Sequence, residues 1–363
     1  MPDGGCRDLT CPAFGILHPG SAVTLVSAAI AGELDLGDVV TAGGGVLHGA
    51  RLHYHVLGDP EAARANGWIL VFHALTGSAD VDAWWGPIIG PGLPLDTTRH
   101  AIVVANLLGS CYGSTGPAEW AARSAAPFPV LTPADLAVAH EPLLASLDVE
   151  RVALATGGSL GGMVALEWAR RTRVAVDRLV VFAAPSVTSA QSIAWNAAQR
   201  MAIEADPAWQ GGRYHPGPGP AAGLAAARAI AMITYRSSLE FDGRFGRGRS
   251  RRVGAFDVDS YLRRQGEKLV ARFDAASYVV LTHAMDLHDV GDHAEAARAT
   301  AARVDEIVGV GIDTDILYPA AEVLAWVDAY RPYANARYAQ IVSPCGHDAF
   351  LIEFDQVAAI LAS

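Results

Sequence analysis

A single serine, Ser159, stands in the run ATGGSLGGMVALEWA among Gly157, Gly158, Gly161 and Gly162. A serine hydroxyl is a weak nucleophile until a base takes its proton and donors await the charge that develops. Glycine costs backbone entropy in a strand or helix, so four around one hydroxyl need a local reason. The strand-like RVALAT (Arg151 to Thr156) comes before the serine and a helical run follows it. That order is the setting of a nucleophile elbow, G-x-S-x-G, in which a sharp turn exposes the serine at a strand's carboxyl end. The helix N-terminus then favours negative charge near the serine oxygen. A dinucleotide loop would need G-x-G-x-x-G, which is not matched. A glycine-rich turn that merely joins strand to helix is the bland alternative, and the strand–turn–helix context favours catalysis.

Such a serine needs an acid and a histidine after it in the chain. SPCGHDAFLIE offers His347, and GIDTDILYP offers Asp313 and Asp315 just past a strand. VFHALTGSADV (Val71 to Val81) ends another strand and opens a loop. A loop there supplies a second oxyanion amide, from Leu75, beside a first from Leu160 directly after the nucleophile. His73 reads as a strand-end residue that satisfies nearby backbone and takes no catalytic role.

The elements that must hold these residues are legible as apolar runs. Trp68 to Leu75, His100 to Gly109, Arg151 to Thr156, Asp177 to Ser186 and Val304 to Asp315 read as buried parallel strands. Leu131 to Val149 and Gly161 to Thr172 read as helices between them. The alternation implies a doubly wound α/β fold. The stretch 187–303 shows no clear buried strand. Its helical patterns, AAGLAAARAIAMITYRS and SYLRRQGEKLVARF, predict a helical lid over the sheet. GRFGRGRSRR reads as a solvated basic loop. The expected division is an N-terminal extension over 1–35, possible disorder included, a core over 36–186 and 304–363, and the lid over 187–303.

The chain has 363 residues, 51% of them hydrophobic and 18% charged, with a formal net charge of −11. That composition gives a globular protein with a large core. It argues against a nucleic-acid partner, because phosphate binding needs a basic surface. Four scattered cysteines, Cys6, Cys11, Cys111 and Cys345, form no CxxC pair and no zinc spacing, so a reducing cytoplasm and no metal are expected. AVTLVSAAIA (Ala22 to Ala31) is too short to span a membrane. As a signal peptide it lacks a clearly basic lead and a clean cleavage site.

HALTGSADVDAWW, NLLGSCYGSTGP, GGSLGGMVALEWA, AARAIAMITYRS, YLRRQGEKLVARFDAASYVVLT, DTDILYP and GHDAFLIE together resemble the homoserine O-acetyltransferase family, in its actinobacterial form. The resemblance runs from about Leu36 onward. It implies an α/β-hydrolase fold, a homodimer, and ping-pong acetyl transfer from acetyl-CoA to L-homoserine in methionine biosynthesis, with no bound cofactor. It also implies Ser159 as nucleophile, His347 as base and Asp315, two residues before Leu317-Tyr318-Pro319, as the acid. Arg228 aligns with the family arginine that holds the substrate carboxylate. Arg236 is the fallback, read by preference as a helix-surface ion pair. The resemblance further implies that Asp348 faces the substrate ammonium and that Tyr235 joins the substrate-binding set. Leu160 stands where the family often has methionine. Ser110 and Tyr112 stand where small or amide residues are common, which bears on the acyl pocket if that loop borders it. Serine as acceptor, succinyl-CoA as donor, an esterase-type hydrolase and a non-catalytic binding protein are the competing readings. One methylene in the acceptor is worth only about 1–3 kcal/mol of discrimination.

Overall fold

A computed structural model describes residues 30–250 and 255–363. The run Ala22 to Ala31, apart from its last two residues, lies outside them. The sheet has eight strands: β1 Ile30–Val40, β2 Val46–Gly58, β3 Trp68–Phe72, β4 Ala101–Ala105, β5 Arg151–Gly158, β6 Ala175–Phe182, β7 Val304–Ile312 and β8 Ala336–Ile341. Their spatial order is β1-β2-β4-β3-β5-β6-β7-β8. β1 and β2 pair antiparallel, as do β2 and β4, while every pairing from β4 across to β8 is parallel. The sheet therefore starts at Ile30, inside the stretch expected to be an extension.

The parallel centre owes its place to β-branched and aliphatic runs that bury both faces. Every residue of β3 and β4 is buried. The twofold alternation sends Leu70 and Phe72 into one core and Ile69 and Val71 into the other. The edge hairpin reads differently. β1 alternates exposed and half-buried positions and carries polar residues, so it has no continuous apolar run.

Helices cover both faces. Before the sixth strand they are α1 Pro60–Asn66, α2 Asp82–Trp85, α3 Pro117–Arg123, α4 Pro133–Val138, α5 His140–Ser146 and α6 Leu160–Ala169. The single helix expected over Leu131 to Val149 is broken into α4 and α5 at Ala139. Pro142 lacks the N–H that would close the ladder on Val138. Between β6 and β7 come α7 Ala190–Glu204, α8 Ala221–Tyr235, α9 Ser238–Arg244, α10 Asp257–Val270, α11 Ala275–Asp286 and α12 His293–Ala301. α8 packs on both α7 and α10, whereas α12 packs on β7 and on α13 Ala320–Tyr330. The last helix of the 187–303 stretch thus belongs to the layer on the sheet. The chain ends in α14, Phe354–Ala362.

Candidate active site

Ser159 occupies the turn between β5 and α6 with φ 57° and ψ −126°, a left-handed conformation that non-glycine residues rarely adopt. Its amide donates to the Phe182 carbonyl at 3.0 Å, which anchors the turn to β6. The glycines make this packing possible. A Cβ on Gly161 would lie 2.1 Å from the Phe72 carbonyl oxygen, and one on Gly157 would lie 2.6 Å from the Gly161 carbonyl. Strand, turn and helix therefore approach closer than any side chain allows. All ten residues of α6 are buried, so packing on every side offsets the poor helix propensity of Gly161 and Gly162. Leu160 is the first residue of that helix, where an N–H has no intrahelical acceptor.

Asp315 follows β7 in a tight turn and is 5% exposed. Its Oδ1 accepts from the amides of Leu317 at 2.8 Å and Tyr318 at 3.0 Å. Its Oδ2 lies 2.6 Å from Nδ1 of His347. The carboxylate thus fixes the imidazole, and places the proton of the neutral ring on Nδ1. Burial works against a charged ring, but Asp315, by charge and hydrogen bond, and Asp348 more weakly, hold the His347 pKa above the ordinary 6.5. Nε2 of His347 is buried and has no partner among the described residues. It is the atom a triad needs free, and such contacts often tighten only with substrate bound.

Asp313 has a different task. Its Oδ1 accepts from the Ser343 amide at 2.9 Å, and Thr314 Oγ1 takes the Gly346 amide at 3.1 Å. Both bonds hold the loop that brings His347 back from β8. Gly346 has φ 69°, and a Cβ there would sit 2.7 Å from the Ser237 amide nitrogen. The His347 loop therefore rests directly against the end of α8.

Ser159 and His347 line one cavity of about 640 Å³. Leu75 and Thr76, from the loop after β3, line it too. His73, at the end of that strand, is fully buried. Its Nδ1 donates to the Ala74 carbonyl at 2.8 Å and its Nε2 accepts from the Leu107 amide at 3.0 Å, so it serves backbone. Burial drives its pKa down to about 4, and it is neutral.

The opposite wall comes from the helices between β6 and β7. Arg228 and Tyr235 of α8 line the cavity, with the guanidinium 5.4 Å above the Tyr235 ring. Among the described residues no carboxylate pairs with Arg228. Tyr235 in turn packs 5.7 Å from the His347 ring. Arg236 differs from its expected reading. It is 6% exposed, and it bonds Glu240 through Nη1 at 3.0 Å and Asp348 through Nη2 at 3.1 Å. Its ion pairs are inside the molecule, because the chain leaves α8 here and turns under the His347 loop.

Sequence reasoning passed over Trp84, Arg244, Tyr261, Gln265, Lys268 and Arg272, which also line the cavity. Tyr261, Gln265 and Lys268 recur every three to four residues along α10, a helical face visible in YLRRQGEKLV. Arg272 donates to the Thr76 carbonyl at 2.7 Å and to the Tyr112 hydroxyl at 2.8 Å, tying the helical layer to the loop beside the serine. Of the two unusual residues in GSCYGSTGP, Tyr112 borders the cavity, while Ser110 is fully buried and does not line it.

Residues 67–277 match the family model described as alpha/beta hydrolase fold. The chain is 43% identical over 343 residues to a homoserine O-acetyltransferase of Moorella thermoacetica, covering 88% of this chain and 91% of that protein. The crystal structure of a homoserine O-acetyltransferase from Staphylococcus aureus superposes with a TM-score of 0.74 at 28% identity, over 92% of this chain and 94% of that one. The crystal structure of esterase E22 superposes with a TM-score of 0.82 at 20% identity, over 92% and 99%. At that identity the likeness speaks for the fold.

Proposed function

The chain belongs to the homoserine O-acetyltransferase family, built on the α/β-hydrolase fold, and on that premise we propose that it moves an acetyl group from acetyl-CoA to the hydroxyl of L-homoserine. Ser159 Oγ attacks the thioester carbonyl carbon while His347 Nε2 takes its proton. Asp315 keeps the imidazole oriented and stabilises the imidazolium. The amides of Leu160 and Leu75 hold the tetrahedral oxyanion. Removing one such donor in a comparable enzyme costs roughly 3 kcal/mol. The intermediate collapses, the C–S bond breaks, and the imidazolium protonates the departing thiolate. The acetyl-serine is then attacked by the homoserine hydroxyl, which gives its proton to the same nitrogen. Collapse returns that proton to Ser159 Oγ and releases O-acetylhomoserine.

One observation carries this reading over hydrolysis. The cavity that holds Ser159 and His347 also holds Arg228, a cation with no carboxylate partner among the described residues, and the carboxylate Asp348. A guanidinium and a carboxylate facing one space suit a zwitterionic amino acid. Arg244, Lys268 and Arg272 along the same wall suit the phosphates of CoA in a chain that is otherwise acidic. The helices from α7 to α11 serve as the lid that limits water. The same reading makes the protein a cytoplasmic homodimer that works in methionine biosynthesis.

The test is thiol release from acetyl-CoA by the purified protein, with and without L-homoserine, with L-serine and succinyl-CoA alongside. Release that depends on L-homoserine is expected, with an acetylated Ser159 trapped when the acceptor is withheld. Equal release without any acceptor would make the protein a hydrolase. Preference for L-serine or succinyl-CoA would keep the chemistry and change the substrate.

A further inference from the structure

The turn after β3 is held at both ends. At its inner end the Gly77 amide donates to the Ala74 carbonyl at 2.8 Å, closing a four-residue turn with Leu75 and Thr76 at its centre. Nδ1 of His73 donates to the same carbonyl at 2.8 Å. The carbonyl of Ala74 and the amide of Leu75 belong to one planar peptide, so a bond that fixes the first aims the second. The Leu75 amide itself donates to no backbone acceptor among the described residues.

The outer end of the turn is gripped by the helical layer. Arg272, just past α10, donates from Nη1 to the Thr76 carbonyl at 2.7 Å and from Nη2 to the Thr76 hydroxyl at 3.3 Å, across 196 positions of the chain. Nη1 also donates to the Tyr112 hydroxyl at 2.8 Å, and the Tyr112 ring packs 5.8 Å from that of Phe273, the next residue. The Arg272 side chain is exposed, so one such bond would be weak, but three from one planar fork act together.

These contacts form a line. Arg272 holds the Thr76 carbonyl, whose peptide carries the Gly77 N–H. That N–H holds the Ala74 carbonyl, whose peptide carries the Leu75 N–H. Each hydrogen bond in such a line polarises the next. A cation at the far end therefore both fixes the direction of the Leu75 N–H and makes it a stronger donor.

We propose that Arg272 is a positioning residue for acyl transfer, which acts through Thr76 and the turn to aim and polarise the Leu75 amide at the oxyanion. This rests on Ser159 as nucleophile and on Leu75 as an oxyanion donor. In this role Arg272 touches no reacting atom.

Arg272 is also among the cations suited to the phosphates of CoA, so the test uses a donor without phosphate. The burst of p-nitrophenolate from p-nitrophenyl acetate gives the rate of Ser159 acetylation in wild type, Arg272→Met and Arg272→Lys. A trifluoromethyl ketone, which adds to the serine oxygen as a tetrahedral alkoxide, reports on the oxyanion site apart from rate. Arg272→Met should lower the acetylation rate constant about 10–100-fold, with little change in the KM for the ester, and should weaken the ketone by a similar factor. Arg272→Lys, which keeps the charge, should recover part of both. An unchanged burst rate in Arg272→Met, with only acetyl-CoA affected, overturns the proposal and leaves Arg272 as a CoA contact. A slowed burst with unchanged affinity for the ketone overturns it too. Should Arg272→Met not fold, Arg272→Gln carries the same expectations, and its unchanged burst rate overturns the proposal. A wild type with no burst and no acetylated Ser159 overturns the acyl-serine reading itself. A wild-type burst that the Arg272 variants keep overturns only the role of Arg272.

Discussion

The two walls of the cavity are built in opposite ways. On the sheet side, Ser159, Asp315 and His347 all leave strand ends, and each is fixed by backbone or by another member of the set. On the helical side, Arg228, Tyr235, Tyr261 and Lys268 hang from α8 and α10, helices that pack on each other. The first wall tolerates no shift, since a methyl group at Gly161 would collide with backbone. The second is held by side-chain ion pairs and ring contacts, which another set of side chains could replace. On the proposed function, bond making and acceptor choice thus sit on separate parts of the chain. The sheet side is suited to one reaction, and the helical side to deciding what enters it.

Substitutions can break or sharpen that contrast. The largest effect belongs to the sheet wall. Ser159→Ala should lower kcat by roughly 10⁶-fold and abolish the acetyl-enzyme seen by mass spectrometry. Retained activity would remove the serine from the mechanism. Asp315→Asn should lower kcat by about 10⁴-fold, because an amide no longer holds the ring in the working tautomer. A loss of only a few fold would move the acid elsewhere.

Substitutions on the helical wall should instead act on the acceptor. Arg228→Met should raise the KM for L-homoserine by roughly 10–100-fold, with a much smaller rise for acetyl-CoA. Equal rises would erase the division between the walls.

The smallest effect is on pH, and it tests where the walls meet. His347 must be neutral to accept a proton, so activity should fall as pH drops through its pKa. That pKa lies above the ordinary 6.5 because of Asp315 and, more weakly, Asp348. Asp348→Asn removes a negative charge that favours the imidazolium. The acid limb of kcat/KM for acetyl-CoA should therefore move to lower pH. A limb that stays in place would mean that Asp348 does not act on the base.

The elbow could be read from sequence because it is local. Strand, four glycines, serine and helix are contiguous, and backbone sterics force that composition wherever this turn occurs. The central strands could be read because burial on both faces demands unbroken apolar runs. The hairpin β1–β2 could not. Its outer strand alternates polar and half-buried residues, and nothing before Ile30 to Val40 announces a strand. The break between α4 and α5 was visible as Pro142, but a proline near a helix start can also be tolerated, and only packing decides.

The sequence by itself determined the order of serine, acid and histidine, the α/β architecture that presents them, and the family to which the chain belongs. Those depend on short-range geometry and on periodic burial, which are written along the chain. Only the tertiary structure decided which charges meet. Arg236 and Asp348 are 112 positions apart in the chain, and neither neighbourhood signals the other. It took the docking of α8 against the His347 loop to bury Arg236 in an ion chain and to leave Arg228 lining the cavity. Ion pairing inside a protein depends on distance and desolvation, and neither exists until the chain has folded.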